Sequence, residues 1–268
     1  TKDLAIVVFT SNKKQPKQIP PHQCIPPFLA GFPTDVIESS EFTPYQQTGM
    51  RLINRQKLRP IPGGAEIYMP NSPFTGGLCT LGMFARSTRA QDDPNDIYLL
   101  ANAHCFPGGD QAIFQPETHE PQDRIAYATR IVNSSLVDGG IAQLLKNDLA
   151  DTSEIIGIGT VLGRYEADLS DIGKSVIKSG RTTGVTIGTI AYLHADADDK
   201  KDQLIVTDID TAFSDHGDSG SVVLMNQGER WHYVTALLWG GALNFTVCSP
   251  IIPVCEELQI DLITAENQ

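Results

Sequence analysis

The strongest chemical signal in the sequence is the segment 216–221 (HGDSGS), which directly precedes the apolar run Val222–Met225. Glycines on both sides of an Asp-Ser pair let the chain turn tightly and leave the serine hydroxyl exposed. The backbone amides of Gly217 and Ser219 can then face one point, where the oxyanion of a tetrahedral intermediate would develop. Taken alone, the segment is also compatible with an ordinary Asp-Ser-Gly turn before a strand.

Two further segments carry the groups that a nucleophilic serine needs. Residues 99–105 (LLANAHC) run from an apolar strand to His104, and an imidazole held at a strand end can act as a general base. In residues 136–142 (LVDGGIA), Asp138 lies between apolar and small residues, as expected for a carboxylate that orients a histidine. A core histidine and an Asp-Gly turn are the simpler interpretations of each segment alone. Their order along the chain, each at a strand end, predicts a Ser-His-Asp triad.

The elements that would position these side chains are mostly strands. Short apolar runs bounded by Gly, Pro, Asn or Asp predict them at 4–9, 78–84, 97–100, 155–158, 186–192, 204–209, 221–225 and 233–239. Helical periodicity is confined to 141–148 and 253–258. Such a pattern favours an all-β sandwich or barrel over alternating βαβ units. We expect a leading segment, residues 1–62, and two strand-rich blocks, residues 63–150 and 151–268.

Composition excludes several classes of function. The 268 residues include 20 Lys+Arg and 32 Asp+Glu, so the net charge is −12. An acidic protein is not expected to bind nucleic acid or the surface of an anionic membrane. No apolar run approaches the roughly 20 residues of a membrane helix. The five cysteines form no CxxC pair and the histidines show no metal-ligand spacing, so neither a metal nor another cofactor is expected. The sequence predicts a soluble protein, cytoplasmic rather than secreted.

The three motifs together resemble those of the trypsin-like serine proteases, in which the histidine follows a small-residue strand end and the serine lies in Gly-Asp-Ser-Gly. Residues 178–184 (KSGRTTG) with Gly188, residues 213–219 (FSDHGDS) and residues 25–37 (IPPFLAGFPTDVI) resemble the narrow-leaf-type branch of bacteria and plants. The resemblance spans essentially the whole chain. It implies two six-stranded antiparallel β-barrels with an active site between them, and an N-terminal extension packed on the protease.

The resemblance also implies a role for each candidate residue. Ser219 would be the nucleophile, His104 the general acid and base, and Asp138 the orienting carboxylate, with the amides of Gly217 and Ser219 forming the oxyanion hole. The implied activity is that of a serine endopeptidase acting on a protein or peptide substrate.

Substrate recognition follows from the same resemblance. Trp239, Gly240 and Gly241 resemble the strand that pairs with the substrate backbone and walls the specificity pocket, although Trp239 also suits a plain core aromatic. Phe213 stands where trypsin carries an aspartate, so an apolar or small side chain is expected at that subsite. Cys79 and Cys105 resemble a family disulfide beside the histidine.

The sequence is also compatible with three other functions. Thr1 could be an N-terminal threonine nucleophile acting with its own amine. The chain could also be a protease-shaped module that holds peptides without cutting them, or a hydrolase of esters or other acyl compounds. A start at Thr1 suggests a chain cut from a longer parent, so a parent chain or a regulatory partner is expected. We expect no activating cut before Ile61.

Overall fold

The computed structural model describes residues 5–38, 53–70, 72, 75–106, 111–208, 212–242 and 244–267. Thr1, the alternative nucleophile, lies outside these residues. The strands are β1 (Ile6–Thr10), β2 (Phe28–Leu29), β3 (Phe32–Glu38), β4 (Ile61–Gly63), β5 (Glu66–Tyr68), β6 (Leu78–Thr80), β7 (Phe84–Ser87), β8 (Tyr98–Ala101), β9 (Ala112–Phe114), β10 (Arg124–Asn133), β11 (Asp138–Leu144), β12 (Ala150–Ile155), β13 (Gly159–Thr160), β14 (Gly163–Arg164), β15 (Ser175–Gly180), β16 (Gly184–Ala197), β17 (Lys200–Asp208), β18 (Val222–Met225), β19 (Tyr233–Ala242), β20 (Phe245–Pro250) and β21 (Ile260–Leu262).

Helices are short. The α-helix α1 spans Ile251–Leu258. Turns of 3-10 helix lie at Pro16–Gln18, Pro21–Gln23, Ile53–Arg55, Thr75–Gly77, Ala103–Cys105, Pro121–Asp123, Asn147–Leu149, Leu169–Asp171 and Gly228–Arg230. Within the described part of the chain, no helix combines the length and the apolar character needed to cross a membrane.

The chain forms two compact units, residues 1–42 and residues 43–268. In the first unit, β3 pairs in parallel with β1 and antiparallel with β2. The second unit holds the three residues of the candidate triad, Ser219, His104 and Asp138. The division into a leading segment and two blocks, with boundaries at residues 62 and 150, stays a prediction.

The second strand-rich block closes into an antiparallel ring. Strands pair in the order β19-β18-β15-β16-β17-β20, and β20 pairs back onto β19. Apolar side chains of these strands fill the interior, among them Val176, Ile190, Val223 and Leu238. Alternating inward and outward side chains make this closure favourable, because each strand buries one face and the ring leaves few unpaired edges. The predicted all-β double-barrel class is confirmed.

The first block is built around a sheet in the order β21-β7-β8-β11-β10-β9-β5-β6. Residues 81–83 connect β6 to β7, with the Leu81 amide bonded to Ala65 on one side and the Gly82 amide bonded to Leu100 on the other. The sheet therefore curls back on itself as a barrel. The C-terminal strand β21 adds to β7 at its edge, a pairing that the sequence did not predict.

The helix predicted at residues 141–148 was wrong. This stretch begins inside β11, which pairs with β8 on one side and β10 on the other. Two neighbouring strands supply hydrogen bonds to both edges of β11, and this pairing outweighs the helical periodicity of the segment. The second predicted helix, 253–258, lies within α1.

The two barrels meet closely at Thr80 and Gly220. The Thr80 amide donates to the Ser219 carbonyl at 2.8 Å. A Cβ on Gly220 would lie 2.2 Å from the Thr80 carbonyl and 3.3 Å from the Ala101 Cβ, so only glycine fits, and its φ of +96° is also one that glycine tolerates. This contact brings the serine turn of one barrel against the strand end of the other that leads to His104.

Candidate active site

His104 lies just after β8, in the 3-10 turn Ala103–Cys105. Cys105 forms a disulfide with Cys79 of β6, so the cysteine pair implied by the resemblance is present. The covalent bond and the short turn fix the backbone on both sides of the imidazole. Asn102, fully buried, adds a hydrogen bond from its amide nitrogen to the Asp138 carbonyl at 2.8 Å.

Asp138 begins β11, and the pairing of β11 with β8 brings it beside His104. Its Oδ2 accepts a hydrogen bond from His104 Nδ1 at 2.6 Å, and its Oδ1 accepts one from the His104 amide at 3.1 Å. Two bonds to one residue fix both the position and the tautomer of the ring, because Nδ1 must carry the proton and Nε2 is left as the basic nitrogen. The predicted partners, His104 and Asp138, therefore lie together.

The Asp138 carboxylate is almost fully buried, at 5% exposure. Burial acts to raise its pKa, but the charge and hydrogen bonds of His104 together outweigh burial, with a smaller contribution from Lys200, and the pKa lies below its usual 3.8. The group therefore stays ionised under the conditions in which an imidazolium would need stabilising.

This lowered pKa predicts a specific acid response. A carboxyl whose pKa is lower in the folded state binds its proton more readily when unfolded, so its contribution to stability is present above pH 3.8 and is lost as the pH falls through the lowered pKa. We expect the unfolding free energy of the wild type to fall more steeply below pH 3.8 than that of Asp138→Asn. Urea unfolding across an acid pH series measures both slopes. Parallel slopes would contradict this assignment.

Ser219 lies in the turn before β18. Its side chain is fully buried, and Oγ donates to the Trp239 carbonyl at 3.2 Å. Within the described residues, the buried Nε2 of His104 has no hydrogen-bond partner. The Ser219 hydroxyl thus donates to the Trp239 carbonyl and not to His104, whose Nε2 accepts no hydrogen bond from the described residues.

The amides predicted to form the oxyanion hole are oriented by their neighbours. The His216 carbonyl accepts from Thr182 Oγ1 at 2.6 Å, so the Gly217 amide in the same trans peptide points the opposite way. Likewise the Asp218 carbonyl accepts from the amide and the hydroxyl of Ser221, which turns the Ser219 amide away from them. Neither amide has an acceptor within the described part of the protein.

The serine turn is held by an ion pair between Lys178 and Asp218, two side chains with no solvent exposure. Lys178 Nζ lies 3.1 Å from Asp218 Oδ2 and also donates to Thr183 Oγ1 and to the Gly184 carbonyl. Asp218 further accepts from the amides of Thr182 and Asp215, at 2.8 and 3.1 Å. Burial lowers the pKa of Lys178, and the nearby Asp218 opposes that shift. The Asp218 carboxylate thereby links the start of the serine turn, at Asp215, to the neighbouring loop at Thr182.

The predicted substrate-binding residues fall into two groups. The Phe213 side chain is fully buried in the core of the second barrel, and a Cβ on Gly188 would lie 2.8 Å from its ring. Trp239 is also a core side chain, at 3% exposure, with its backbone carbonyl at Ser219. Gly240 and Gly241 continue β19 beyond Leu237, where the pairing with β18 ends. Contact of these four residues with a substrate stays a prediction.

Several side chains that position the site were missed from the sequence. Lys178 lies within KSGRTTG, and a lysine in an otherwise apolar strand is itself a hint of a buried ion pair. Thr80, whose hydroxyl donates to the Gly217 carbonyl at 2.9 Å, and the buried Gln203 appear ordinary in the sequence. Long-range pairing alone gives them their roles.

Metal binding has little support at this site. Ligand atoms of Cys79, His104 and Cys105 lie within 4.8 Å of one another. The two sulfurs are bonded to each other, however, and a disulfide offers no thiolate to a metal.

Two comparisons with known sequences match this chain. The Nal1 C-terminal domain family matches residues 143–249. Protein NARROW LEAF 1 of Oryza sativa subsp. japonica is 24% identical over 283 residues, which cover 90% of this chain and 48% of the relative. The chain thus spans about half the length of this curated relative.

Solved structures give the fold. Thermobifida fusca Protease A has a TM-score of 0.56 and 20% identity, covering 76% of this chain and 99% of that protein. The Cellulomonas bogoriensis chymotrypsin has a TM-score of 0.54 and 17% identity, with the same coverage of 76% and 99%. These likenesses show that the chain has the double-barrel fold of the chymotrypsin-like serine proteases.

Proposed function

We propose that this protein is a serine endopeptidase in which Ser219, His104 and Asp138 act as the catalytic triad. The observation that carries the proposal is the buried Asp138–His104 pair, with its 2.6 Å hydrogen bond and a free Nε2, next to a serine turn whose two amides have no acceptor among the described residues. Without the Asp138–His104 pair, a protein of this fold would have no general base to take the proton of Ser219.

The reaction would begin with a change of hydrogen-bond partner. The Ser219 hydroxyl leaves the Trp239 carbonyl and donates to His104 Nε2, which takes the proton as Oγ forms a bond to the substrate carbonyl carbon. The carbonyl π electrons move to its oxygen, and the Gly217 and Ser219 amides stabilise that oxyanion. Asp138 stabilises the imidazolium without taking its proton.

The intermediate then collapses. The C–N bond breaks, and the leaving amine takes the proton from His104, which leaves an acyl-enzyme on Ser219. Water, deprotonated by His104, attacks the acyl carbon by the same route, and the acid product leaves as Ser219 regains its proton. No step needs a metal or another cofactor. The same chemistry would also cleave reactive esters.

Substrate binding is proposed along β19. Gly240 and Gly241 lie beyond the last pair with β18, so their backbone groups could add a peptide as a further strand. Phe213 is apolar and stands where trypsin carries an aspartate, so we propose an apolar or small substrate side chain at this subsite rather than Arg or Lys.

A second candidate function is a peptide-binding module without catalysis. The observation in its favour is that Ser219 is fully buried and bonded to the Trp239 carbonyl rather than to His104. In such a module the pairing would persist when a peptide binds.

A fluorophosphonate probe separates the two candidates. We expect the folded wild type to be labelled at Ser219, as mapped by mass spectrometry, and labelling to be lost in Ser219→Ala and His104→Ala. Ser221→Ala is the matched control, since this buried serine lies in the same turn and its hydroxyl donates to the Asp218 carbonyl. It should still be labelled. A folded wild type that takes no label would favour the binding module.

A further inference from the structure

Gln203 of β17 is a fully buried glutamine beside the candidate triad. Its Oε1 accepts from Trp239 Nε1 at 2.8 Å and from Ser249 Oγ at 3.2 Å. Its Nε2 donates to the Leu136 carbonyl at 2.9 Å and to the Lys201 carbonyl at 2.6 Å. An indole N–H can only donate, so the amide oxygen must face Trp239 and the amide nitrogen must face the carbonyls. All the hydrogen-bonding directions of this side chain are therefore assigned.

One side of the Gln203 amide holds the backbone on which Asp138 is carried. The Leu136 carbonyl that it binds lies two residues before the carboxylate. Ser249 Oγ, which donates to Gln203, in turn accepts from the Asp138 amide at 3.3 Å. The Asp138 backbone is thus fixed at two points that share one side chain.

The other side reaches the serine. The Trp239 indole donates to Gln203, and the Trp239 carbonyl is the acceptor of the Ser219 hydroxyl. A buried indole N–H that loses its acceptor is destabilised and tends to move until it finds another partner. The strand that carries the Trp239 carbonyl would move with it.

The start of β17 supports the same loop along its length. Lys200 Nζ donates to the Ser134 carbonyl at 2.8 Å, and the Lys201 amide donates to the Ser135 carbonyl at 2.6 Å. Gln203 continues this series at Leu136. The loop that leads into Asp138 of the first barrel is therefore fixed to a strand of the second barrel, the barrel that carries Ser219.

We infer that Gln203 is a positioning residue, whose amide keeps Asp138 and the Trp239 carbonyl in a fixed relation so that His104 and Ser219 stay aligned. This inference rests on the proposed function. Small displacements of reacting groups are costly, since about 1 Å can lower a rate by about 100-fold. Gln203 itself touches neither substrate nor the reacting atoms in this scheme.

The test compares two buried glutamines. Gln115 is also fully buried and also uses both ends of its amide, but it bonds to Gln56, Leu58 and Arg59, in the segment that leads into β4. We expect Gln203→Leu to lower kcat by about 10- to 100-fold with KM within about twofold. Gln115→Leu should lower the unfolding temperature comparably and leave kcat within about twofold of the wild type. Equal kcat values in the two variants would overturn the inference.

A readout that does not need activity accompanies the kinetics. The proton between His104 Nδ1 and the Asp138 carboxylate should give a strongly deshielded resonance in the proton NMR spectrum. This resonance should broaden or vanish in Gln203→Leu and persist in Gln115→Leu. If the wild type takes no fluorophosphonate label, the proposed function fails, and the resonance alone then decides the role of Gln203. An unchanged resonance in Gln203→Leu would overturn it.

Ser249→Ala covers the case in which Gln203→Leu does not fold. It removes a single hydroxyl that links Gln203 to the Asp138 amide, with almost no change in packing. We expect kcat to fall by about threefold to tenfold, and the double variant, if it folds, to lose less than the product of the single effects, because both residues act through one network. A full wild-type kcat and an unchanged resonance in Ser249→Ala would contradict the network.

Discussion

Ser219→Ala is expected to lower peptide turnover by about 10⁶-fold, the size of effect seen when the nucleophile of a triad is removed. The loss would come from chemistry rather than from folding. Among the described residues, the Ser219 side chain makes one hydrogen bond, to the Trp239 carbonyl, and losing it should cost only about 1 kcal/mol of unfolding free energy. Without the hydroxyl, no acyl-enzyme can form, and only the residual effect of substrate binding and the oxyanion hole remains.

The measurement uses a proteome-derived peptide library, with cleaved bonds identified by mass spectrometry, and then turnover on the best-cleaved peptide. Thermal unfolding of each variant gives the matched stability. Ser221→Ala is the control, since it removes a buried serine hydroxyl from the same turn. Turnover in Ser221→Ala should stay within about tenfold of the wild type. Wild-type cleavage by Ser219→Ala would refute the proposed nucleophile.

Local sequence patterns were enough to predict the all-β class, while the roles of the candidate triad came from the family resemblance and stay a prediction. Apolar runs of strand length between turn residues predicted an all-β protein, and His104 and Asp138 each stand where such a run begins or ends. The failure at residues 141–148 has a physical reason. Side chains there suit either a helix or a fully buried strand, and only the pairing of β11 with two neighbours decides between them.

The residues that hold the site could not be predicted in this way. Gln203 and Ser249 act through partners that are 36 to 111 positions away in the chain, such as Trp239 and Asp138. No local period encodes such contacts. The pairing of β21 with β7 is similar, because a short C-terminal strand carries no mark of the sheet that it joins. These roles arise from barrel closure, which the sequence implies only through resemblance.

Lys178→Met is expected to reduce both stability and activity strongly. It leaves the Asp218 carboxylate without its cation in a site with no solvent exposure, which typically costs about 3–5 kcal/mol of unfolding free energy. Asp218 would keep its hydrogen bonds from Thr182, Thr183 and Asp215, but none of them neutralises its charge. Because its charge is unpaired, the Asp218 carboxylate would move toward solvent, and the adjacent Gly217 and Ser219 amides would move with it.

That movement predicts a catalytic effect as well. Loss of one oxyanion-hole donor lowers kcat by about 100- to 1000-fold, and we expect Lys178→Met to reach this range in whatever fraction remains folded. Lys174→Met is the matched control. Lys174 also pairs with an aspartate, Asp171, at 2.6 Å, but the Lys174 side chain is 40% exposed, so its loss should lower the unfolding free energy less than the loss of the buried Lys178 does.

The double variant Lys178→Met/Asp218→Asn distinguishes the buried charge from the bulk of the lysine side chain. Removing both charges together avoids an unpaired carboxylate, so we expect most of the unfolding free energy to return. Activity should recover only in part, because the new asparagine side chain would offer an N–H group to an amide that now donates to a carboxylate oxygen. A double-mutant cycle compares the wild type, Lys178→Met, Asp218→Asn and the double variant. Urea unfolding and turnover of these four proteins give the coupling free energy between the two side chains. A Lys178→Met variant as stable and active as Lys174→Met would show that this ion pair does not hold the serine turn.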